Sequence, residues 1–246
     1  MQRTMVWPCR LLLCVLIAGT VPSLVSQTRK PSASPPRMDI LGYTLEAELA
    51  PDAHEIKAAA AVNFKALEQT DFVIFEISEN LSVRRVLNAQ NVELDFGQDE
   101  IGPGYLTVRF PQDLEAGTEV MIRVEYQGGF DRDRFSRMFT RDETSAYIGM
   151  DGTYLIYPGK WLPIGRFLSD RATVTLEAAV PLGMTVIGPG TRLPVVTKGI
   201  SEVFGWTAAV PVFPASLVAG QYFQRRVQAG DFTIECFARE NELDAA

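Results

Sequence analysis

From Tyr43 onward the chain alternates apolar and polar residues with a period of two. Tyr43, Leu45, Ala47 and Leu49 share one side, and Thr44, Glu46 and Glu48 the other. A row Ile56, Ala58, Ala60, Val62, Phe64 follows the segment Pro51-Asp52-Ala53-His54. Two alternating runs around a Pro-Asp turn predict an antiparallel hairpin. Asp71 to Ile77 is apolar on both sides, which predicts a strand covered on both faces. Further strands are expected at Leu81–Leu87, around Tyr105–Phe110, and at Val120, Ile122, Val124, Tyr126 before Gly128-Gly129. Turns fall at Gly102-Pro103-Gly104 and Glu115-Ala116-Gly117.

The second half continues in the same way. Short strands are expected around Tyr147-Ile148 and Tyr154-Ile156, then at Ala172–Ala178, Met184–Ile187, Val203–Val210, Ser216–Gly220, Tyr222–Val227 and Asp231–Phe237. Asp131 to Asp142 is the most charged stretch and lacks alternation, so it reads as a loop or a short helix. No amphipathic helix of three turns or more stands out. A dozen to fifteen short strands separated by Gly, Pro and Asp predict an all-β fold: an antiparallel β-sandwich or a curved, saddle-like sheet. No internal repeat of fixed period is present, which argues against propellers and solenoids.

The N-terminus differs. Arg3 and Arg10 precede an apolar run from Leu11 to Ala18, which Gly19, Thr20, Pro22 and Ser23 interrupt. This is the layout of a secretory signal peptide over residues 1–26. The run is short against the roughly 20 apolar residues of a membrane span. An uncleaved anchor is the second reading, and lipidation at Cys14 a third. Residues 27–38, containing Gln27-Thr28-Arg29-Lys30-Pro31-Ser32-Ala33-Ser34-Pro35-Pro36-Arg37, read as a Pro/Ser-rich linker. The folded part is expected over residues 39–237.

Charge and composition narrow the function. The net charge is −7, and it becomes −9 without Arg3 and Arg10. An acidic chain with no basic cluster among aromatics disfavours nucleic-acid binding. Cys9 and Cys14 leave with a cleaved signal, and Cys236 remains. Cys236 lies on the strand side of Phe232 and Ile234, so it is expected to be a buried small hydrophobe.

The chain has one histidine, His54. His54-Glu55-Ile56-Lys57-Ala58 begins like His-Glu-x-x-His, but Ala58 occupies the second histidine position. The segment also falls in a predicted turn, whereas that zinc motif needs a helix. No Gly-x-Ser-x-Gly elbow occurs, and a nucleophilic triad would also depend on His54. A glycosidase-type carboxylate pair about 5 to 10 Å apart is the weakest catalytic reading. Hence no catalytic or metal-binding residue, and no cofactor, is assigned to this chain. Asn80-Leu81-Ser82 is a glycosylation sequon, relevant where the host modifies such sites. The stretch Tyr154 to Pro163 is dense in aromatics. It reads either as a core cluster or as a contact surface in which Tyr154, Tyr157 and Trp161 meet a second domain or a sugar.

Several segments together resemble the N-terminal β domain of the aminopeptidase N family of zinc metallopeptidases (gluzincins). They are Tyr43–Leu49 with Pro51-Asp52, Leu106-Thr107-Val108, Leu114–Gly117, Val124–Gly128, Tyr157-Pro158 with Trp161-Leu162-Pro163, Ala172–Leu176, Val180–Met184 with Gly188, and Phe213–Phe223. Order and spacing carry the likeness over about residues 40 to 240. The aromatic-proline segment lacks the family's usual cysteine and aspartate.

The resemblance implies a non-catalytic domain that packs on a catalytic domain of the same polypeptide and walls its substrate cavity. Zinc and the peptide substrate would belong to a full-length parent. Some members place a Gln or Glu of this domain near the substrate amino group; Gln127, Glu143 and Asp151 lie nearby here, but none matches a family motif, so the role is carried over to none of them. Residues 238–246 would begin the link to a next domain. The rival reading is a free-standing secreted binding or adhesion module. Both place the mature chain outside the cytoplasm, secreted or periplasmic, or held at a membrane by its N-terminal segment.

Overall fold

A computed structural model describes residues 36–130, 146–165, 170–213 and 216–239. The expected signal peptide, most of the linker, the charged stretch from Asp131 to Asp142 and the last seven residues lie outside them. The first half contains β1 (Met38–Ala50), β2 (Glu55–Ala66), β3 (Thr70–Glu76), β4 (Leu81–Asn88), β5 (Asp95–Gln98), β6 (Tyr105–Leu114) and β7 (Glu119–Gly129). Then come β8 (Ala146–Tyr147), β9 (Thr153–Leu155), α1 (Pro158–Trp161), β10 (Ala172–Pro181), β11 (Thr185–Ile187), β12 (Thr191–Arg192) and β13 (Val196–Lys198). The last are β14 (Ser201–Val212), β15 (Leu217–Gly220), β16 (Phe223–Ala229) and β17 (Phe232–Ala238). The fold is all-β, and its one described helix is the four-residue turn α1, with Pro158 preset for a helical first position.

The strands form four sheets. The large one has the order β12-β14-β10-β1-β2-β7-β4, with β13 also on β14. A four-stranded sheet runs β11-β15-β9-β8, a three-stranded one β3-β6-β5, and β16-β17 stand as a separate hairpin. The β1–β2 hairpin pairs Leu49 with Ile56 and Leu45 with Ala60, as the alternation predicts. One pairing departs from an antiparallel sandwich: β10 lies parallel to β1, from Gly42 opposite Thr173 to Glu48 opposite Ala179. Period two does not encode strand direction, so this was invisible in the pattern.

The inward rows of the large, three-stranded and four-stranded sheets merge into one core. Phe64 of β2 packs edge-to-face on Phe75 of β3, with ring centroids 6.1 Å apart and planes at 77°. Phe110 of β6 sits 6.4 Å from the same ring. Each such aromatic pair contributes about 1 kcal/mol beyond its burial. Ala58 stands opposite Tyr126, and the small side chain leaves room for the enclosed ring.

Two expectations about burial are corrected. β3 is covered on one side: Val73, Phe75 and Ile77 are buried, while Phe72, Ile74 and Glu76 are half-exposed. Its sheet is small, and nothing described fully covers its second face. Cys236 does share a side with Phe232 and Ile234, but it is half-buried, and those two are exposed. The row is apolar as read, yet the hairpin carrying it projects from the core.

Candidate functional site

The aromatic stretch between β9 and Pro163 enters the structure as a hinge between sheets. Glu76 of β3 and Ile164 exchange backbone hydrogen bonds at 2.7 and 2.9 Å, which draws the segment after α1 onto the three-stranded sheet. The Tyr157 hydroxyl donates to Oε1 of Glu76 at 2.8 Å. Burial, reinforced by that carboxylate, pushes the Tyr157 phenol above its ordinary value, so it stays neutral and donates. Gly159 passes the same carboxylate so closely that a Cβ there would lie 2.7 Å from Oε1.

The three candidate contact residues separate. Trp161 is fully enclosed, and its indole N–H has no partner among the described residues. It packs as core beneath the loop and presents no surface to a ligand. Tyr157 is half-buried against Glu76, and Tyr154 is half-buried on the four-stranded sheet. In that sheet Tyr147, Tyr154, Val218 and Ile187 occupy paired positions, so they form one cross-strand row. The row borders a cleft of about 430 Å³ that Tyr222, Phe237 and Arg239 close from the hairpin side. The Tyr147 hydroxyl donates to Oδ1 of Asp151 at 2.6 Å, and the Arg239 guanidinium donates to the Asp151 carbonyl. Asp151 therefore joins the β8–β9 loop to the base of the hairpin, a contact that sequence spacing gave no sign of.

Gln127 lies elsewhere. It is exposed on β7, beside Lys57 of β2 and Ser82 of β4, on the outer face of the large sheet. A groove of about 680 Å³ runs over that face. It is laced with charges: Arg85 and Arg123 contact Glu125 at 2.9 and 3.5 Å, and Arg123 reaches Glu46 at 2.8 Å. The hydrogen bond from Arg85 holds the Glu125 carboxyl below its usual range. Gln127 thus lies on the large sheet and Asp151 in the β8–β9 loop, and Glu143 lies outside the described residues.

Among the described residues, the histidine is engaged elsewhere. His54 takes a positive φ of 60° in the β1–β2 turn, and its Nδ1–H donates to the Ile148 carbonyl at 2.5 Å. Ala58 lies on β2 rather than one helical turn away. Among the described residues no three His, Cys, Asp or Glu side chains converge as metal ligands.

No protein-family model and no curated protein matches the chain. Its fold does match solved structures. An M1 zinc metallopeptidase from Deinococcus radiodurans superposes with a TM-score of 0.67 at 18% identity, over 82% of this chain and 48% of that one. A mutant of the same enzyme bound to a Tyr-Ser-Ala substrate gives 0.66 at 17%, with the same coverage. A structure described as a two-domain M1 zinc metallopeptidase mutant, bound to L-arginine, gives 0.66 at 18%. The chain spans about half the length of these structures, and the fold it shares with them is that of one portion of an M1 zinc metallopeptidase.

Proposed function

We propose that this chain is the non-catalytic N-terminal β domain of an exported zinc metallo-aminopeptidase-like protein, packing on the zinc-bearing domain and helping to wall its substrate cavity. The supporting observation is the fold match, which takes in 82% of this chain and only 48% of structures described as two-domain M1 zinc metallopeptidases. A module of that kind contributes shape and burial. It leaves bond cleavage to a domain that can hold zinc and an activated water. On the sequence reading, residues 1–26 direct export and 27–38 form a linker, placing the domain in a secreted or periplasmic setting.

The reading is tested in two steps. Purified chain, supplied with zinc, is assayed on aminoacyl-anilides. No chelator-sensitive turnover is expected, and turnover that a chelator abolishes would defeat the proposal. Mass spectrometry of material exported by a secretion-competent host should show a new N-terminus near Gln27. An intact N-terminus in the exported protein would remove the signal-peptide element.

A further inference from the structure

The large sheet ends in β4 on one side and in β12 with β13 on the other, and the two edges are closed in different ways. On the second edge Leu193 N–H donates to the Gly205 carbonyl and Val196 pairs with Val203, so Pro194 and Val195 together face Phe204. The extra residue, and a proline without an N–H, break the row of groups that another strand would need.

The β4 edge is covered by the chain that follows it. Leu94 N–H donates to the Val86 carbonyl at 2.8 Å, and Asn88 N–H to the Val92 carbonyl at 2.9 Å. Beyond Leu94 the chain enters β5, which pairs with β6 in the three-stranded sheet. Backbone cover of β4 ends there, and a side chain completes it. Gln98, the last residue of β5, donates from Nε2 to the Leu81 carbonyl at 2.5 Å and accepts at Oε1 from Val83 N–H at 3.0 Å. These two groups flank Ser82, and a residue of a parallel neighbouring strand would engage the same pair. The carboxamide stands in for a strand.

We infer that Gln98 is a latch on the β4 edge, holding the two backbone groups through which a second copy of the chain would add its own β4. Unpaired edge groups are a template for such pairing. Here they are self-complementary. About a two-fold axis at Ser82, Val83 N–H of one copy reaches the Leu81 carbonyl of the other, and the reverse, so two bonds replace the two that Gln98 makes. Ser82 is exposed and leaves the approach clear. Glu79 and Arg84 are exposed on opposite sides of that axis, so antiparallel copies bring each toward its opposite charge.

The test is sedimentation velocity of the full chain over a concentration series, for the wild type, Gln98→Met, Ser82→Lys and the double variant. Methionine keeps the length of the side chain and removes both hydrogen bonds. Gln98→Met should tighten self-association about tenfold or more relative to the wild type. Ser82→Lys sets like charges against each other at the two-fold axis, so it should return the double variant to the wild-type value and change nothing alone. Amide exchange at Val83 is the second readout. It should speed up in dilute Gln98→Met and slow again as the concentration rises, whereas a merely structural glutamine would give fast exchange at every concentration. Circular dichroism checks folding. If Gln98→Met does not fold, Gln98→Glu is read in its place; its carboxylate accepts from Val83 but cannot donate to Leu81, so a smaller tightening is expected.

Self-association no tighter than that of the wild type would overturn the inference. Tightening that survives Ser82→Lys would do the same, because it would place the contact on another surface. So would Val83 exchange that stays fast at every concentration.

Discussion

His54 and Ile148 join two sheets: the imidazole Nδ1–H in the β1–β2 turn donates to the Ile148 carbonyl just after β8. A carbonyl can only accept, so the geometry fixes the ring's tautomer. The neighbouring backbone completes the clasp, with Phe130 N–H donating to the His54 carbonyl at 2.9 Å and Ile148 N–H to the Phe130 carbonyl at 3.0 Å. His54→Ala should destabilise the protein by about 1 to 2 kcal/mol, through a lost hydrogen bond and an unpaired carbonyl. His54→Gly loses the same bond but relieves the left-handed backbone by about 1 kcal/mol, so it should be the milder change. Urea unfolding of both variants gives the comparison, and an alanine variant as stable as the wild type would show that the clasp contributes nothing.

Gly128 of β7 is held between two strands, opposite Ile56 of β2 and Leu81 of β4. A Cβ there would come within 2.1 Å of the Asn80 carbonyl oxygen and 2.9 Å of the Leu81 Cα. Backbone cannot move aside as a side-chain tip can. Gly128→Ala should therefore cost about 3 kcal/mol and loosen the β4 edge. Hydrogen exchange should show faster exchange across Leu81–Asn88, and unchanged exchange there would contradict the close approach.

The alternation in β1, β2, β7 and β10 made the fold class legible, because a buried row and a solvated row on one strand admit no other regular structure. Strand direction and cover were not legible. Nothing in Ala172–Ala178 distinguishes a parallel partner from an antiparallel one. Likewise, the apolar sides of β3 and of the β16–β17 hairpin show which side seeks cover, not whether anything described supplies it. In the aromatic stretch, composition could not separate enclosed Trp161 from half-exposed Tyr154 and Tyr157. That distinction depends on Glu76 and Ile164, nearly ninety residues apart in sequence.

Trp161 provides the cleanest test of that separation. As an enclosed core ring, its replacement by alanine should cost about 3 to 5 kcal/mol. Trp161→Phe keeps most of the apolar volume and removes an N–H with no partner among the described residues, so it should cost less than about 1.5 kcal/mol. A surface-binding tryptophan would show the opposite signature, with stability unchanged in both variants. Chemical unfolding monitored by far-UV circular dichroism distinguishes the two.

Tyr43, Tyr126 and Tyr157 give the protein an alkaline limit. Burial raises all three phenols above their usual value; Asp170 adds to the effect on Tyr43, and the Glu76 hydrogen bond to that on Tyr157. A raised folded-state value means that the neutral phenol is the stabilised form. The stabilisation is therefore fully present below the unfolded value of about 10 and declines as the pH rises beyond it. In a titration at 295 nm, the phenols of Tyr43 and Tyr126 should ionise only as the sheets come apart. Tyr126 sharpens the test, since its hydroxyl has no partner among the described residues. Tyr126→Phe should raise stability at neutral pH by about 1 kcal/mol. The gain should widen at about pH 10.5, because the variant loses one group whose ionisation pulls toward the unfolded chain. Ionisation of Tyr43 and Tyr126 near pH 10 in a folded protein would refute the placement of these two rings in the core.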